Sequence, residues 1–574
     1  MNKALLKYFK PVRKSALLAI FLIILETALE TMVPFMNAQI VDVGIANRDM
    51  PYIYLWGSLM ILFSTLAFFV GIIGVKYVAR TGQGFGSELR KAQFAKLQSM
   101  SVKSREKFAT SSLISRLTND TYTIQNAIII GFRGLFRAPF MVVMVLALSF
   151  QMNAKLAIIY AFVLPIIGGL MLVIVFKVRP IFNYLQRAFD NLNLTLQENI
   201  QAIRVVKSYV TQEEEIKKFE KINNTYRKTA AKAFRTVSFN TPLMQLGLYS
   251  AIIALLFVGG DLISTGDAKV GQITGLLTYT LQLLNVLLML AQLLIMLSRT
   301  FASGERIVEL LESENEFSFV QESKDEVKAG VIEVNNVTFK YKESSAPILE
   351  NISFKLNKQQ TLGIIGQTGS GKSTLVHLLA RLYDVTSGEV KLDGINIKEL
   401  SKNDLLESVH VVFQSNMLFK GTIRENLKWG NEAASDAEIE RALTASLALE
   451  IVTKLPDGLN SLVEQAGKNF SGGQKQRLML ARALITKPKV LILDDSLSAI
   501  DTINENKIKE NLNKYYPELT LIKVSQRISA LSDADEIIVL HEGKIHNKGT
   551  HDELLEKDII YRDIYEMQLE GAKV

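Results

Sequence analysis

Two aspartates stand side by side in the stretch VLILDDSLSAID, residues 490–501. An apolar run ending in a carboxylate is how a nucleotide site holds Mg²⁺ at a strand's end, which gives Asp494 that place. The next position is where a hydrolase sets its base, and here it is Asp495. Upstream, residues 366–373 read GQTGSGKS, between the apolar run TLGII and the helical TLVHLLARL. The pattern G-x-x-x-x-G-K-[ST] in a strand–loop–helix context makes a phosphate cradle. Backbone N–H groups over Gly366, Gln367, Thr368, Gly369, Ser370 and Gly371, with the helix N-terminus running on into Thr374, face the phosphates. Lys372 reaches the β/γ oxygens and Ser373 ligates Mg²⁺; a Gly-rich turn without a ligand is the plainer alternative. Between the loop and the aspartates lies NFSGGQKQRLMLARAL, where Ser471, Gly472 and Gly473 offer a hydroxyl and close-approaching amides ahead of a helix. That is a second anion-binding arrangement or simply a helix cap.

The elements that must position these groups fall into two halves. At 574 residues the chain is long enough for several domains, and a positive mean hydropathy (+0.19) alongside 21% charged residues fits a membrane portion joined to a soluble one. Apolar stretches near residues 15–40, 53–75, 138–156, 157–177, 243–264 and 273–297 each approach the length of a membrane helix, which gives six crossings. Lys3, Lys7, Lys10, Arg13 and Lys14 precede the first and place the N-terminus in the cytoplasm, whereas a cleaved signal peptide fits less well. The links at 46–52, 151–155 and 264–270 are short and fall outside. The long polar stretches 80–126 and 187–235 fall inside and read as helices running far into the cytoplasm rather than structureless loops. The acidic run 312–328 reads as a linker. After it, short β-rich runs alternate with helices, as in an α/β domain with a largely parallel core. The expected division is a transmembrane domain over 1–311, a linker over 312–330 and an α/β P-loop ATPase domain over 331–574. The net charge of +8 comes without any basic run, so nucleic acid is not expected as a partner, and zero cysteines exclude disulfides and thiolate metal sites.

With these motifs in order, the chain resembles ATP-binding cassette (ABC) exporters over nearly its whole length. The likeness rests also on Tyr341 in VTFKY, where the family stacks a ring on adenine, and on Gln414 in VVFQ as the Q-loop residue near Mg²⁺. It extends to FSGGQ at 470–474, with Phe470 for the usual Leu, to SAID at 498–501, and to SGERIVELLE at the exit of the sixth helix. The stretches SLISRLTNDTYTI and QENIQAIRVVKSYVTQEEE resemble the two intracellular coupling regions. The resemblance implies a half-transporter that works as a dimer in the cell membrane, with the ATPase domain cytoplasmic. Two ATP molecules with Mg²⁺ are then sandwiched between subunits, each held by one phosphate loop and by the signature (Ser471, Gly472, Gly473, Gln474) of the other. Two positions depart from the family: Asp495 stands for the usual Glu, and Gln526 in TLIKVSQR stands for the switch His. Asp is shorter by one methylene, and Gln cannot become cationic. Asp495, Gln526 and Gln414 are therefore the catalytic candidates of a degenerate site, and the resemblance points to one half of a heterodimeric bacterial-type multidrug exporter, its partner a second, non-identical half-transporter. VEQAGKN ahead of the signature departs from the usual VGERG pattern. A slowly hydrolysing homodimer, a lipid or peptide exporter, and a non-pumping ATP-gated subunit remain as alternatives.

In the membrane half, Glu26 and Glu30 lie four residues apart on one face of the first span. Charges at membrane depth face a cavity or a partner, so the pair marks either a substrate contact or a structural ion pair. Thr278, Gln282, Asn285, Met289 and Gln292 line one face of the sixth span, as substrate surface or as helix–helix glue. Both features, Gln282 and Asn285 included, suit a hydrophobic or cationic amphipathic substrate.

Overall fold

A computed structural model describes residues 3–571 except 316–318, 324, 342–345 and 415–416. The chain divides into two compact units, Met1–Ser99 with Phe108–Ser313, and Met100–Lys107 with Glu314–Val574.

The first unit is helical. In hydrocarbon every backbone polar group must find its partner within its own segment, which leaves the helix as the form open to these apolar runs. The expected spans fall on the helices Arg13–Gln39, Met50–Ser99, Ala138–Met152, Ala154–Gln201, Asn240–Ser264 and Val270–Glu312, except that the third, 138–156, overruns the break at extended Asn153 into the next helix. Among the described residues five helical stretches are long and apolar enough to cross a bilayer, and Ala154–Leu170 is apolar but shorter. Met50–Ser99 has 50 residues and Ala154–Gln201 has 48. At 1.5 Å per residue each is about 70–75 Å long, more than twice a hydrocarbon core of ~30 Å, so both continue well beyond a membrane.

The stretch 80–126 is helical but not continuous. After Ser99 it breaks into Val102–Glu106, Thr110–Ser115 and Thr121–Phe132, with π-helical turns at Arg116–Asp120 and Arg133–Arg137. A π turn inserts a residue and re-aims the side chains around it. The first turn aims Arg116, which is buried, at the sixth membrane helix, where it donates to the Arg306 carbonyl (2.6 Å) and to Glu309 (2.7 Å). Asp120 on the same turn accepts from Arg306 Nε (2.9 Å) and from Ser303 (2.8 Å).

The second unit is the α/β domain. A four-stranded antiparallel sheet, in the order β2-β1-β4-β5, joins β1 (Ile332–Phe339), β2 (Leu349–Leu356), β4 (Ser387–Leu392) and β5 (Ile395–Asn396). The main sheet has six strands in the order β12-β11-β3-β10-β9-β6. These are β3 (Thr361–Ile365), β6 (Val409–Val412), β9 (Val490–Asp494), β10 (Thr520–Val524), β11 (Glu536–His541) and β12 (Lys544–Gly549). Its pairings are parallel except for β12, and β7 (Gly421–Thr422) pairs with β8 (Leu462–Val463) in a separate two-stranded ribbon. β9 and β10 are buried along their whole length, as their near-continuous apolar sequences require when both faces of a parallel sheet are covered. Val524 of β10 pairs with Asp494 on one side and with Ile364 on the other. The carboxyl ends of β3, β10 and β9 are thus level, which is where open parallel sheets bind ligands.

The run 312–328 is tied down at several points. Phe319 lies under the Arg381 guanidinium (4.5 Å), and Val327 is buried in the main core. The Asp393 carboxylate accepts from the amides of Ala329 (2.6 Å) and Val331 (2.7 Å) just beyond it.

Candidate active site

β3 ends at Ile365, and Gly366 begins the phosphate loop where a Cβ would collide with the Leu540 carbonyl of β11. Gly371, at φ +100°, caps the helix Lys372–Leu379; that left-handed conformation costs glycine least. Lys372 Nζ folds over the loop and donates to the carbonyls of Gly366 (2.7 Å) and Gln367 (2.9 Å). Burial pulls its pKa below the usual lysine value, against the attraction of Asp494 and Asp495. Ser370 is buried, and its Oγ has no partner among the described residues. The Ser373 hydroxyl stands beside Asp494 and favours its charged form. Burial raises the Asp494 pKa, partly offset by His377, Ser373 and Lys372. A hydroxyl and a carboxylate beside a phosphate cradle are hard oxygen donors of the kind Mg²⁺ shares with phosphate oxygens. Among the described residues no cluster of three acidic, His or Cys ligands would hold an ion alone, so a metal here depends on the nucleotide.

Asp495 leaves the strand with φ +47°, a left-handed conformation that Asp tolerates better than most residues. The turn keeps its amide on the Val524 carbonyl (2.8 Å) and re-aims its carboxylate, which accepts from Gln414 Nε2 at 3.0 Å. Burial raises the Asp495 pKa, opposed by Arg527 and Lys372. Gln526 follows β10 between the two neighbouring strand ends, but its side chain is exposed and makes no hydrogen bond among the described residues. Its carbonyl accepts from Gln568 (2.7 Å). The structure therefore joins Gln414 to Asp495 and leaves the Gln526 side chain out. It also adds Arg527, which the motifs did not mark. That guanidinium donates to the Leu497 carbonyl (3.3 Å) and to Glu505 (3.1 Å), so it ties the loop after β10 to the segment after Asp495. A basic residue beside the switch position was the available signal.

Tyr341 packs edge-on against Phe339 (ring centroids 4.9 Å) and Tyr383 (5.5 Å), with its hydroxyl 3.5 Å from Thr374 Oγ1. The signature serine caps its helix, Gly472–Ile485: Ser471 Oγ accepts from the Gln474 amide (3.3 Å) while Gln474 Oε1 accepts from the Ser471 amide (2.9 Å). Gly473 lies against the Ala499 carbonyl, so the signature packs on the SAID segment. Among the described residues no hydrogen bond joins Ser471, Gly472 or Gly473 to this chain's own phosphate loop.

In the membrane unit Glu26 and Glu30 do share one face, and both meet Arg137 on the second π turn, at 3.7 Å and 2.5 Å. The sixth-helix stripe is divided. Thr278 bonds the carbonyl of Thr274 on its own helix (3.0 Å), the Gln282 Oε1 is buried without a partner among the described residues, Asn285 is exposed, and Met289 packs on the helical core. The side chain of Gln292 lies outside the described residues.

Family models agree with this layout: one described as "ABC transporter transmembrane region" matches residues 16–287, and one described as "ABC transporter" matches 349–498. The chain is similar to the uncharacterized ABC transporter ATP-binding protein YfiB of Bacillus subtilis, 37% identical over the full length of both chains. It is 29% identical to the ATP-dependent lipid A-core flippase of Nitrosococcus oceani over 99% of this chain and 95% of that one. The fold matches a solved bacterial Atm1-family ABC exporter with ATP bound, at a TM-score of 0.83 and 23% identity over 97% of this chain and 99% of the other. A phosphate loop, a strand-end carboxylate and a signature helix in one domain, joined to a helical transmembrane region and matched over the whole chain by ABC transporters, make this protein a member of the ABC transporter family, an ATP-binding ATPase coupled to transport across a membrane.

Proposed function

We infer that the chain is one half of an exporter in the cell membrane that pairs with a second, non-identical half-transporter, and that its own ATP site holds nucleotide and cleaves it slowly. The observation that carries this reading is the pair of substitutions at the strand ends. The carboxylate at the base position belongs to a short Asp held by Gln414, and the switch position carries an exposed Gln. A displacement of about 1 Å in a reacting group costs on the order of 100-fold, and a neutral amide cannot supply the charge an imidazolium sets against developing phosphate charge.

In this reading Tyr341 stacks on adenine, residues 366–371 and Lys372 hold the phosphates, and Ser373, Gln414 and Asp494 hold Mg²⁺, which neutralises phosphate charge when bound. Ser471, Gly472, Gly473 and Gln474 serve the partner's nucleotide. The functional division into a membrane part (1–311), a linker (312–330) and an ATPase part (331–574) is kept. Two carboxylates against one guanidinium leave the Glu26–Glu30–Arg137 group one negative charge in excess, which supports a hydrophobic or cationic amphipathic substrate, with Gln282 and Asn285 further along its path. The flippase named among the relatives favours a second reading in which the amphipathic cargo is a lipid. The test is steady-state ATPase of the chain purified alone and of the complex recovered from native membrane. Turnover should be weak alone and strong in a complex containing a second, different half-transporter; strong turnover by this chain alone would overturn the reading.

A further inference from the structure

β10 ends at Val524, and the next amide, that of Ser525, still bonds the main sheet at the Ile364 carbonyl (3.2 Å). Beyond it the backbone of residues 526–528 has left the sheet ladder and must find other partners. Two side chains hold this loop. Arg527 ties it to Leu497 and Glu505. The second is Gln568, 42 residues beyond Gln526 and close to the end of the described chain. Its Nε2 donates to the Gln526 carbonyl (2.7 Å), and its Oε1 accepts from the Ile528 amide (2.9 Å). A primary amide donates at one end and accepts at the other, so one side chain closes a fork across the backbone on both sides of Arg527. Glu could make only the second of these bonds, and Asn is a methylene shorter.

The base of the fork is itself fixed. Gln568 lies on the helix Ile559–Gly571, and the buried Asp558 ahead of it accepts from the Tyr561 amide (2.8 Å). Tyr561 is fully buried, and its hydroxyl bonds His551 Nδ1 (2.8 Å). Positions 561 and 568 are seven apart and so share one face of the helix, and Ile564 and Tyr565 between them pack on the same core cluster as Tyr561. That cluster also holds Ile528 of the switch loop and Ile365, the last residue before the phosphate loop. One patch of core thus joins the C-terminal helix to both loops that meet the phosphates.

Resting on residue 526 as the switch position, we propose that Gln568 is a positioning residue for nucleotide cleavage: its fork sets where the backbone of residues 526–528 stands, and the C-terminal helix is the frame from which it does so. Both bonds go to backbone groups, so the fork does not depend on which side chain stands at 526. The altered side chains of this site therefore sit on a loop whose support is intact. Gln568 is exposed, so losing the fork moves the loop without unfolding the domain.

Two measurements on the assembled transporter test this, with Gln568→Met as the variant that keeps the length of the side chain and loses both bonds. The chain has no cysteine, so Gln526→Cys gives one labelling position, with any partner cysteine replaced. A nitroxide there should become more mobile by electron paramagnetic resonance in Gln568→Met, and Gln568→Glu, which keeps the bond from Ile528, should give an intermediate spectrum. In a complex whose partner subunit has its own base neutralised, Asp495→Glu with Gln526→His supplies the faster rate against which to measure. Adding Gln568→Met should lower kcat about tenfold, because a misplacement of about 1 Å costs on the order of 100-fold and Arg527 still holds the loop. KM for ATP should stay within about twofold, and the thermal midpoint should not move. Unchanged label mobility, an unchanged kcat, or a kcat that falls only together with the thermal midpoint would overturn the positioning role. A variant Asp495→Glu with Gln526→His no faster than the unaltered chain would instead overturn the switch assignment, and the label spectra decide the fork in either case.

Discussion

Asp494 and Asp495 are neighbours in sequence and part company in space. Glu26 and Glu30 are four residues apart and meet on a single guanidinium. The difference is one of periodicity. Where a strand ends, successive side chains point to opposite faces, and the left-handed turn at Asp495 widens the divergence, so that one carboxylate stands beside Ser373 and the other takes Gln414. On a helix, positions i and i+4 lie one above the other, so the two glutamates share one neighbour. Glu26 is further fixed because the second membrane helix carries Gly71 against it; a Cβ there would sit 3.0 Å from Glu26 Oε1. Adjacent acids at a strand end can therefore take two roles, whereas spaced acids on a helix act as one group.

The largest expected effect tests the first half of that comparison. Asp494→Asn removes the carboxylate beside Ser373 and should weaken Mg²⁺-dependent ATP binding by about 100-fold, close to the loss of one charge-assisted contact to a metal or phosphate. Asp495→Asn should change binding by no more than about twofold, since the contacts of Lys372, Ser373 and Asp494 remain. Equilibrium binding of a fluorescent ATP analogue to the two variants decides the matter. Equal losses would mean that the two aspartates share one role.

The second half is tested by removing the shared neighbour. Arg137→Leu leaves two partly buried carboxylates uncompensated. Breaking a fully buried pair costs about 3–5 kcal/mol, and partial exposure of this group reduces the expectation to about 2 kcal/mol. The thermal midpoint of the detergent-solubilised complex should fall by several degrees. The triple variant Arg137→Leu, Glu26→Gln, Glu30→Gln should recover most of the loss, because the stranded charge is gone. A triple variant as unstable as the single would show that the arginine acts through packing and not through its charge.

The two halves were unequally legible in the sequence. The phosphate loop could be read because its function lies in consecutive backbone amides, and β9 because both faces of a parallel strand are buried and its sequence is apolar throughout. Length and hydropathy mark five membrane-length helices among the described residues, and the shorter apolar stretch Ala154–Leu170 lies where the sixth span is expected. What was not legible depends on contacts distant in sequence. Arg137 is 107 residues from Glu30 and is aimed by a π turn that no residue pattern announces. Tyr383 reads as an ordinary core aromatic until the fold sets it between Tyr341 and His377. The break in the long helix after Ser99 carries no Pro or Gly in Met100–Lys107, and what holds that segment to the ATPase domain is packing by Val102 and bonds such as Ser104 to Glu314. The acidic run 312–328 reads as a linker by composition, yet Val327 is buried and Phe319 lies against Arg381.

The smallest expected effect bears most directly on why adjacency at the strand end matters. Asp495→Glu restores the reach of the carboxylate but places a longer side chain on a backbone at φ +47°. The left-handed conformation costs a residue other than Gly, Asn or Asp about 1 kcal/mol, which opposes part of the gain. Gln526 is exposed and without a side-chain bond among the described residues, and its neutral amide cannot supply the charge of an imidazolium. The single variant should therefore raise hydrolysis at this site by no more than about threefold, and Gln526→His alone should do less, because charge set against the phosphate gains little while the base remains out of reach. The double variant should exceed the product of the singles, as groups acting on one transition state do. The measurement is steady-state ATPase of the four combinations in a complex whose partner subunit has its own base neutralised, so that only this site turns over. Strictly multiplicative effects would place Asp495 and Gln526 in separate functions and leave the strand-end turn as a purely structural feature.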